Sequence, residues 1–289
     1  MSLKQVALLC HFFFVYWGVL YRCKFIGIGD VFMGNSDWNS NQYMKFGKER
    51  TQPSLDLISR IKDLDPSNIL DIGCGPGNST FALYENFPNA QIKGVDSSEN
   101  MLKKAREKYP NMQFEKCNVP DDLGEESYDF IFSNACIHWI PNHQNLISEI
   151  FNKLNKGGSL AVQIPLTQEA PFYKTLFRLI ENEKWSKLAV VHNFHNLMPN
   201  EYYDLFTTFD CDFQIWQTTY YHIVQSQEGV IEWYKGSGLR PYLELLDEEE
   251  KEDFMTELKE SLKNLFPTQR DGKVILKMPR LFFTLQKDS

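Results

Sequence analysis

The sequence predicts an α/β protein: a doubly wound, mostly parallel sheet of seven strands, with a helical lid formed by inserts after the fifth and sixth strands. Three observations carry that expectation. From Thr51 to Pro165, short apolar runs alternate with segments of helical spacing, the rhythm of successive βαβ units. The first of those runs ends in an acid and enters alternate glycines, Ile69-Leu70-Asp71-Ile72-Gly73-Cys74-Gly75-Pro76-Gly77-Asn78-Ser79-Thr80. Beyond Pro165 the alternation gives way to aromatic-rich and helical stretches separated by two long β-prone runs.

Taken in order, Ser54 to Ile61 has apolar residues at helical spacing, and Asn68 to Ile72 is the first strand. Ser79 to Phe87 is the first crossover helix, opened by Asn78, Ser79 and Thr80 as capping residues. Gln91 to Val95 is the second strand and Glu99 to Lys108 the next helix. Strands recur at Met112 to Glu115 and Tyr128 to Ser133, and a helix from Gln144 to Leu154 is stopped by Lys156-Gly157-Gly158. Ser159 to Ile164 is the fifth strand. Residues 166–200 lack a clear strand, Tyr202 to Phe209 reads as helix and Asp212 to Val224 as a long strand. Glu228 to Leu265 is a second helical insert, whose run Glu248-Glu249-Glu250 reads as a solvated face, and Lys273 to Leu285 is the last strand. The chain thus divides into an extension, residues 1–34, a ligand-binding core, 35–165, and 166–289, the inserts with the last two strands.

The extension holds the apolar run Val6 to Leu20, with Lys4 before it and Arg22 and Lys24 after it. It is shorter than the ~20 residues that span a bilayer and is followed by no small-residue cleavage site. A signal peptide, an interfacial anchor, a packed extra element and a translation start set too far upstream all stay open. The last is favoured, because an ordinary domain start appears at Met33 to Asn39, so no membrane partner is expected unless the extension is a real anchor.

A net charge of −8 over 289 residues, with no basic stripe, speaks against a nucleic-acid substrate. Cys10, Cys23, Cys74, Cys117, Cys136 and Cys211 form no C-x-x-C pair, which fits a reduced, cytoplasmic setting. His192 and His195 form an H-x-x-H, but no acid or cysteine cluster accompanies it, so no metal site is expected.

The glycine loop carries the chemistry. Glycines let the backbone turn tightly and approach a ligand that a Cβ would repel. Asp96, ending the second strand, stands where a βαβ unit offers a carboxylate to ribose hydroxyls. A dinucleotide site prefers G-x-G-x-x-G; here the third glycine comes one residue early and Asn78 occupies its place. Asp71 just before the loop would repel a pyrophosphate and attract an ammonium or sulfonium. Gly73, Cys74, Gly75, Gly77, Asn78, Asp71, Asp96 and the neighbouring Ser97 therefore read as a site for S-adenosylmethionine. Asn118 and Val119 after the third strand follow as adenine contacts, Asn118 by its carbonyl, and Asn134 after the fourth strand faces the methionyl part. His138 and Trp139 come next: His138 as polar pocket lining, Trp139 as either lining or core aromatic.

With these residues in hand, the chain resembles the trans-aconitate methyltransferases. Asp37-Trp38-Asn39, the loop Asp71 to Thr80, Val95-Asp96-Ser97-Ser98, His138-Trp139 and Leu160-Ala161-Val162-Gln163-Ile164-Pro165 all match, as do Ile215 to His222, Gly238-Leu239-Arg240-Pro241 and Pro279-Arg280-Leu281-Phe282. The resemblance covers roughly residues 35–287. It implies a cytoplasmic enzyme that forms a monomethyl ester of trans-aconitate or a similar small polycarboxylate; a carboxyl methyltransferase acting on another acid, such as an acyl-carrier-protein diacid or a small isoprenoid acid, and a non-catalytic S-adenosylmethionine-binding protein are the alternatives. Asn118 departs from the family's acid, and Glu181 to Met198 is divergent. Arg240 and Arg280 would grip the spare carboxylates, with Tyr220, Tyr221, His138, Trp139 and Trp38 positioning the acceptor and no residue required as general base. Oligomeric state is not legible.

Overall fold

The computed structural model describes residues 47–191 and 194–289. Helix α1 (Gly47–Ile61) precedes β1 (Asn68–Ile72), and then follow α2 (Asn78–Asn86), β2 (Gln91–Asp96), α3 (Glu99–Lys108), β3 (Gln113–Lys116) and β4 (Tyr128–Asn134). After a 3-10 turn at Ile137–Trp139 come α4 (His143–Asn152) and β5 (Leu154–Pro165). The first insert contains α5 (Pro171–Ile180), a 3-10 segment at Glu183–Val190 and α6 (Pro199–Phe206). Strand β6 (Cys211–Val224) leads to α7 (Gln227–Lys235), α8 (Arg240–Leu243) and α9 (Glu248–Leu262), and β7 (Val274–Lys287) closes the chain. The seven strands stand in the order β3-β2-β1-β4-β5-β7-β6. Neighbours from β3 to β5 are parallel, while β7 runs antiparallel to both β5 and β6.

Two boundaries differ from the sequence expectation for physical reasons. Strand β5 begins at Leu154, which pairs with Tyr128 of β4 in the parallel ladder. The Lys156-Gly157-Gly158 stretch therefore lies within the span of β5 as a bulge, where the register shifts before Ser159 pairs with Phe130 and Gly157 takes a φ of 72°. The cap of α2 is Gly77, at φ 84°, with no side-chain cap bond. Ser79 and Thr80 turn their hydroxyls inward instead, both onto Asp71.

Alternation sets which residues reach which face of the sheet. Leu70, Ile72, Ile131, Leu160, Val162 and Ile164 pack on the side of α4 and α6. Ile69, Phe130, Phe132, Ala161 and Phe282 pack on the opposite side, under α1 and α2. The inserts share a further core, which joins Phe172, Tyr173, Trp185, Trp233, Tyr234 and Phe254 to Val224, Val274, Leu276 and Met278 at the ends of β6 and β7. Ion pairs clasp the inserts together: Lys184 meets Asp253 and Glu257, and Lys187 meets Glu250. One of the three consecutive glutamates is therefore a tie between inserts as well as a capping-box residue facing Asp247.

Candidate functional site

The register gathers a polar row at the carboxyl ends of the parallel strands. Asp71 follows Ile69 by two, Asn134 follows Phe132, Gln163 follows Ala161 and Arg280 precedes Phe282, so all four stand on the α1 and α2 face. Asp96 joins them, since Gly94 pairs with Asp71. Buried polar atoms normally have partners. Along this row several have none among the described residues: Asp71 Oδ1, Asn134 Oδ1, both amide atoms of Gln163 and, beside them, Nδ1 of His138. Gln163 is completely buried, and no sequence reading had placed it in the site; the available signal was one amide inside an otherwise apolar strand.

The loop after β1 is built tightly on one side and left open on the other. The N–H groups of Gly73 and Cys74 donate to the Val95 carbonyl at 2.8 and 3.0 Å. A Cβ on Gly73, at φ +73°, would lie 2.2 Å from the Cys136 side chain, whereas one on Gly75 would meet nothing within 4 Å. Asp96 braces this geometry: its Oδ2 accepts from the Gly75 N–H at 2.9 Å and its Oδ1 from the Ser98 N–H at 2.8 Å. Each oxygen of a carboxylate can accept more than one such bond.

Asp71 is fully buried, with Oδ2 taking the hydroxyls of Ser79 and Thr80 at 2.7 Å each. Burial pushes its carboxyl up to about 6, the two hydroxyls pull it back, and the charge of Asp96 adds to the rise. Of the other predicted cofactor contacts, Cys74 is buried beneath the loop and Ser97 is exposed beside Asp96. Asn78 turns to α3, where Lys108 donates to its Oδ1 at 2.8 Å. Val119 packs against the sheet core. The Asn118 amide nitrogen donates to Asp122 at 2.8 Å, which brings a carboxylate next to Asn118.

His138 lies in an aromatic wall, against Trp139 at 4.8 Å and stacked on Phe194 at 5.9 Å, with Phe194 edge-on to Tyr173. Burial holds its imidazole well below the usual histidine range, and the charge of Arg280 adds to this. His143 fixes the turn that bears it: the His143 ring meets the Ile137 carbonyl at 3.1 Å through Nε2 and the Tyr202 hydroxyl at 2.5 Å through Nδ1. Gly238 presses so closely on this wall that a Cβ would fall 1.9 Å from the Tyr173 hydroxyl.

The predicted acceptor residues separate into two groups. Arg280 is only 7% exposed, and Tyr220, half-buried on the same sheet face, donates to Asp56 at 2.5 Å. Tyr221 points to the opposite face and is 63% exposed, as the period of a strand requires, so the sheet does not bring it to the row. Arg240 pairs with Glu244 one helical turn on, at 3.4 Å. Trp38, His192 and the Val6 to Leu20 run lie outside the described residues. Among the described residues no helix is long and apolar enough to cross a membrane.

Residues 64–228 match the family described as Methyltransferase domain. Trans-aconitate 2-methyltransferase of Methylobacterium nodulans is 37% identical over 255 residues, 87% of this chain and 99% of that one. The protein of the same name from Enterobacter sp. (strain 638) is 36% identical, covering 88% and 99%. The chain belongs to the trans-aconitate 2-methyltransferase family. Its cofactor is S-adenosylmethionine, and the row fits that molecule: buried acceptors at Asp71 and Asn134 suit a cation, and the open side of Gly75 leaves room for a ligand against the backbone. The fold is shared more widely. The YcgJ protein of Bacillus subtilis aligns at TM-score 0.55 and 17% identity, over 82% of this chain and 99% of that one. Phosphoethanolamine N-methyltransferase 2 of Haemonchus contortus aligns at 0.56 and 17%, over 86% and 56%.

Proposed function

We propose that this member of the trans-aconitate 2-methyltransferase family is a cytoplasmic enzyme that esterifies one carboxylate of trans-aconitate or of a closely similar small polycarboxylic acid. The observation that carries the reading is the polarity of the row. Acceptors for a cation stand at β1 and β4, and a buried guanidinium stands on β7, three strand spacings from β1 and two from β4, about 14 and about 10 Å. A cationic methyl donor and a polyanionic acceptor can thus lie side by side across Gln163.

Bound S-adenosylmethionine supplies an electrophilic methyl group on a positively charged sulfur. In this reading Asp96 accepts from the ribose hydroxyls, the backbone of Gly73, Gly75 and Gly77 lies against the methionyl part, and Asp71 with Asn134 holds its ammonium. Asn118, steadied by Asp122, accepts from the adenine amine. The acceptor needs no base, because a carboxylate is already ionised at pH 7. What it needs is orientation and the removal of water, and these fall to Arg280, Tyr220, Trp139 and the neutral His138. A buried imidazole with no acid acting on it among the described residues is suited to line such a pocket and not to shuttle protons.

The test is to incubate the purified chain with methyl-labelled S-adenosylmethionine and a panel of mono-, di- and tricarboxylic acids, following the methyl ester by mass spectrometry. A labelled monoester of trans-aconitate, formed faster than with monocarboxylates, is the expected result. Labelling of none of the acids, or of monocarboxylates alone, would overturn the reading.

A further inference from the structure

A second cation, Arg50, acts on the same buried ring groups as Arg280, and no local sequence signal marks it. Arg50, in the first turns of α1, donates from Nη2 to the Trp233 carbonyl at 3.1 Å, and its guanidinium lies 4.9 Å from the Trp233 ring centroid. The same indole stacks on His222 at 4.9 Å, and His222 lies parallel to Tyr220 at 6.0 Å. On β6, Thr218 faces Arg280, and Tyr220 and His222 are the next residues on that face. The helix and the hairpin thus bring both guanidiniums to one aromatic box: His222, Tyr173 and Tyr234 are each within electrostatic reach of Arg50 and of Arg280. His222 is nine-tenths buried, and its Nε2 has no partner among the described residues.

Two acids border the box. Asp56 is engaged by the Tyr220 hydroxyl, and Glu49 acts on His222. Both cations also lie outside residues 64–228, the part that matches the general methyltransferase domain, whereas Asp71, Asp96, Asn134 and Gln163 lie inside it. That division is what an acceptor-specific device added to a shared cofactor core would show.

We propose that Arg50 and Arg280 form a paired guanidinium clamp that reads the two carboxylates of the acceptor that are not methylated, with Trp233 setting the plane of Arg50. The proposal rests on the polycarboxylate reading above and adds the residue that makes the pocket select for more than one spare charge. A guanidinium grips a carboxylate through two parallel N–H bonds in fixed directions, and a lysine ammonium cannot.

The experiment compares Arg50→Lys with the unaltered full chain. Initial rates are measured with trans-aconitate and with crotonate, an unsaturated monocarboxylate, and melting temperature is followed with S-adenosylhomocysteine present, with and without trans-aconitate. Arg50→Lys is expected to raise KM for trans-aconitate about tenfold to a hundredfold, the loss of a charged hydrogen-bonded pair. The kcat for trans-aconitate, the KM for crotonate and the affinity for S-adenosylhomocysteine should stay close to those of the unaltered chain, and the melting-temperature rise given by trans-aconitate should be lost. An equal change for both acids would overturn the clamp and leave Arg50 as a brace between α1 and α7. If no acid is methylated, the function reading fails separately, and the melting experiment still decides the clamp. A trans-aconitate rise present in the unaltered chain and lost in Arg50→Lys supports it; an equal rise in both, or none in either, overturns it.

Discussion

Replacing Asp71 by asparagine should make the ligand-free protein more stable while it disables cofactor binding. In the folded chain the Asp71 carboxyl titrates at about 6, raised from 3.8, chiefly because burial disfavours its charge. A carboxyl raised on folding contributes stability that is complete below its unfolded value and lost as pH rises through the folded one. About two units at 1.36 kcal/mol each sets the full loss near 3 kcal/mol, spread over the window from about pH 4 to pH 6.5. Between pH 5 and pH 8 about half of it, ~1.5 kcal/mol, is accessible without acid denaturation. Asparagine is nearly isosteric, can still accept from Ser79 or Thr80, and does not titrate. Urea unfolding of both proteins at pH 5 and pH 8 should show the difference moving in favour of Asp71→Asn by ~1.5 kcal/mol, equivalent to roughly 3–6 °C in melting temperature. In the same variant, calorimetry should show S-adenosylmethionine affinity reduced at least about tenfold. A difference independent of pH would refute the claim that the carboxylate is held ionised against its environment, and unchanged affinity would remove Asp71 from the cofactor site.

Other consequences can be checked in the same preparations. Asp96→Ala should weaken S-adenosylmethionine binding by about 1.5–3 kcal/mol in titration calorimetry, since it removes the proposed ribose acceptor and the brace on Gly75 together. Gly238→Ala should destabilise the fold by about 1–3 kcal/mol, and adding Tyr173→Phe should recover part of that loss by removing the hydroxyl 1.9 Å from the new methyl; strictly additive effects in chemical denaturation would contradict the packing account. Because burial pushes His222 down to about 4 and His138 well below its ordinary range, kcat/KM should be level from pH 7 to pH 9 and fall only as pH drops through about 6, where Asp71 takes up its proton. An ascending limb above pH 7 would argue for a catalytic base.

The proposed cofactor half was readable in the sequence because its signals are local. A strand, an acid, alternate glycines and a second strand with a terminal acid occur within thirty residues of chain, and each has a fixed place in the structure. The proposed acceptor half was readable only in part. Arg280 sits in a recognisable segment, but Arg50 lies on a largely polar helix where nothing local distinguishes it from a surface cation; only the packing of α1 against Trp233 gives it meaning. Tyr220 and Tyr221 are neighbours in the chain and opposites in the sheet, so choosing between them requires the register. Helix α5 did leave a trace, Phe172, Tyr173, Leu176 and Ile180 at helical spacing, hidden among the aromatics of a stretch that reads as irregular. The inward turn of Ser79 and Thr80 was invisible because a hydroxyl near a helix start has two uses, and the buried charge of Asp71 decides between them.

Strands β6 and β7 stay paired along their whole length, from Cys211 with Lys287 to Val224 with Val274, whereas β5 accompanies them only as far as Pro165 with Arg280. Past that point the hairpin projects as a two-stranded beam into the core of the inserts. A swinging lid needs a few residues whose dihedral angles absorb the rotation. A continuous ladder provides none, and every rung resists bending. The helical layer is therefore a cantilever and not a door. Fraying of individual helical turns is then the expected route for traffic through the site, and amide exchange in α5, α7 and α8, rather than a domain-closure signal, should track the release of product.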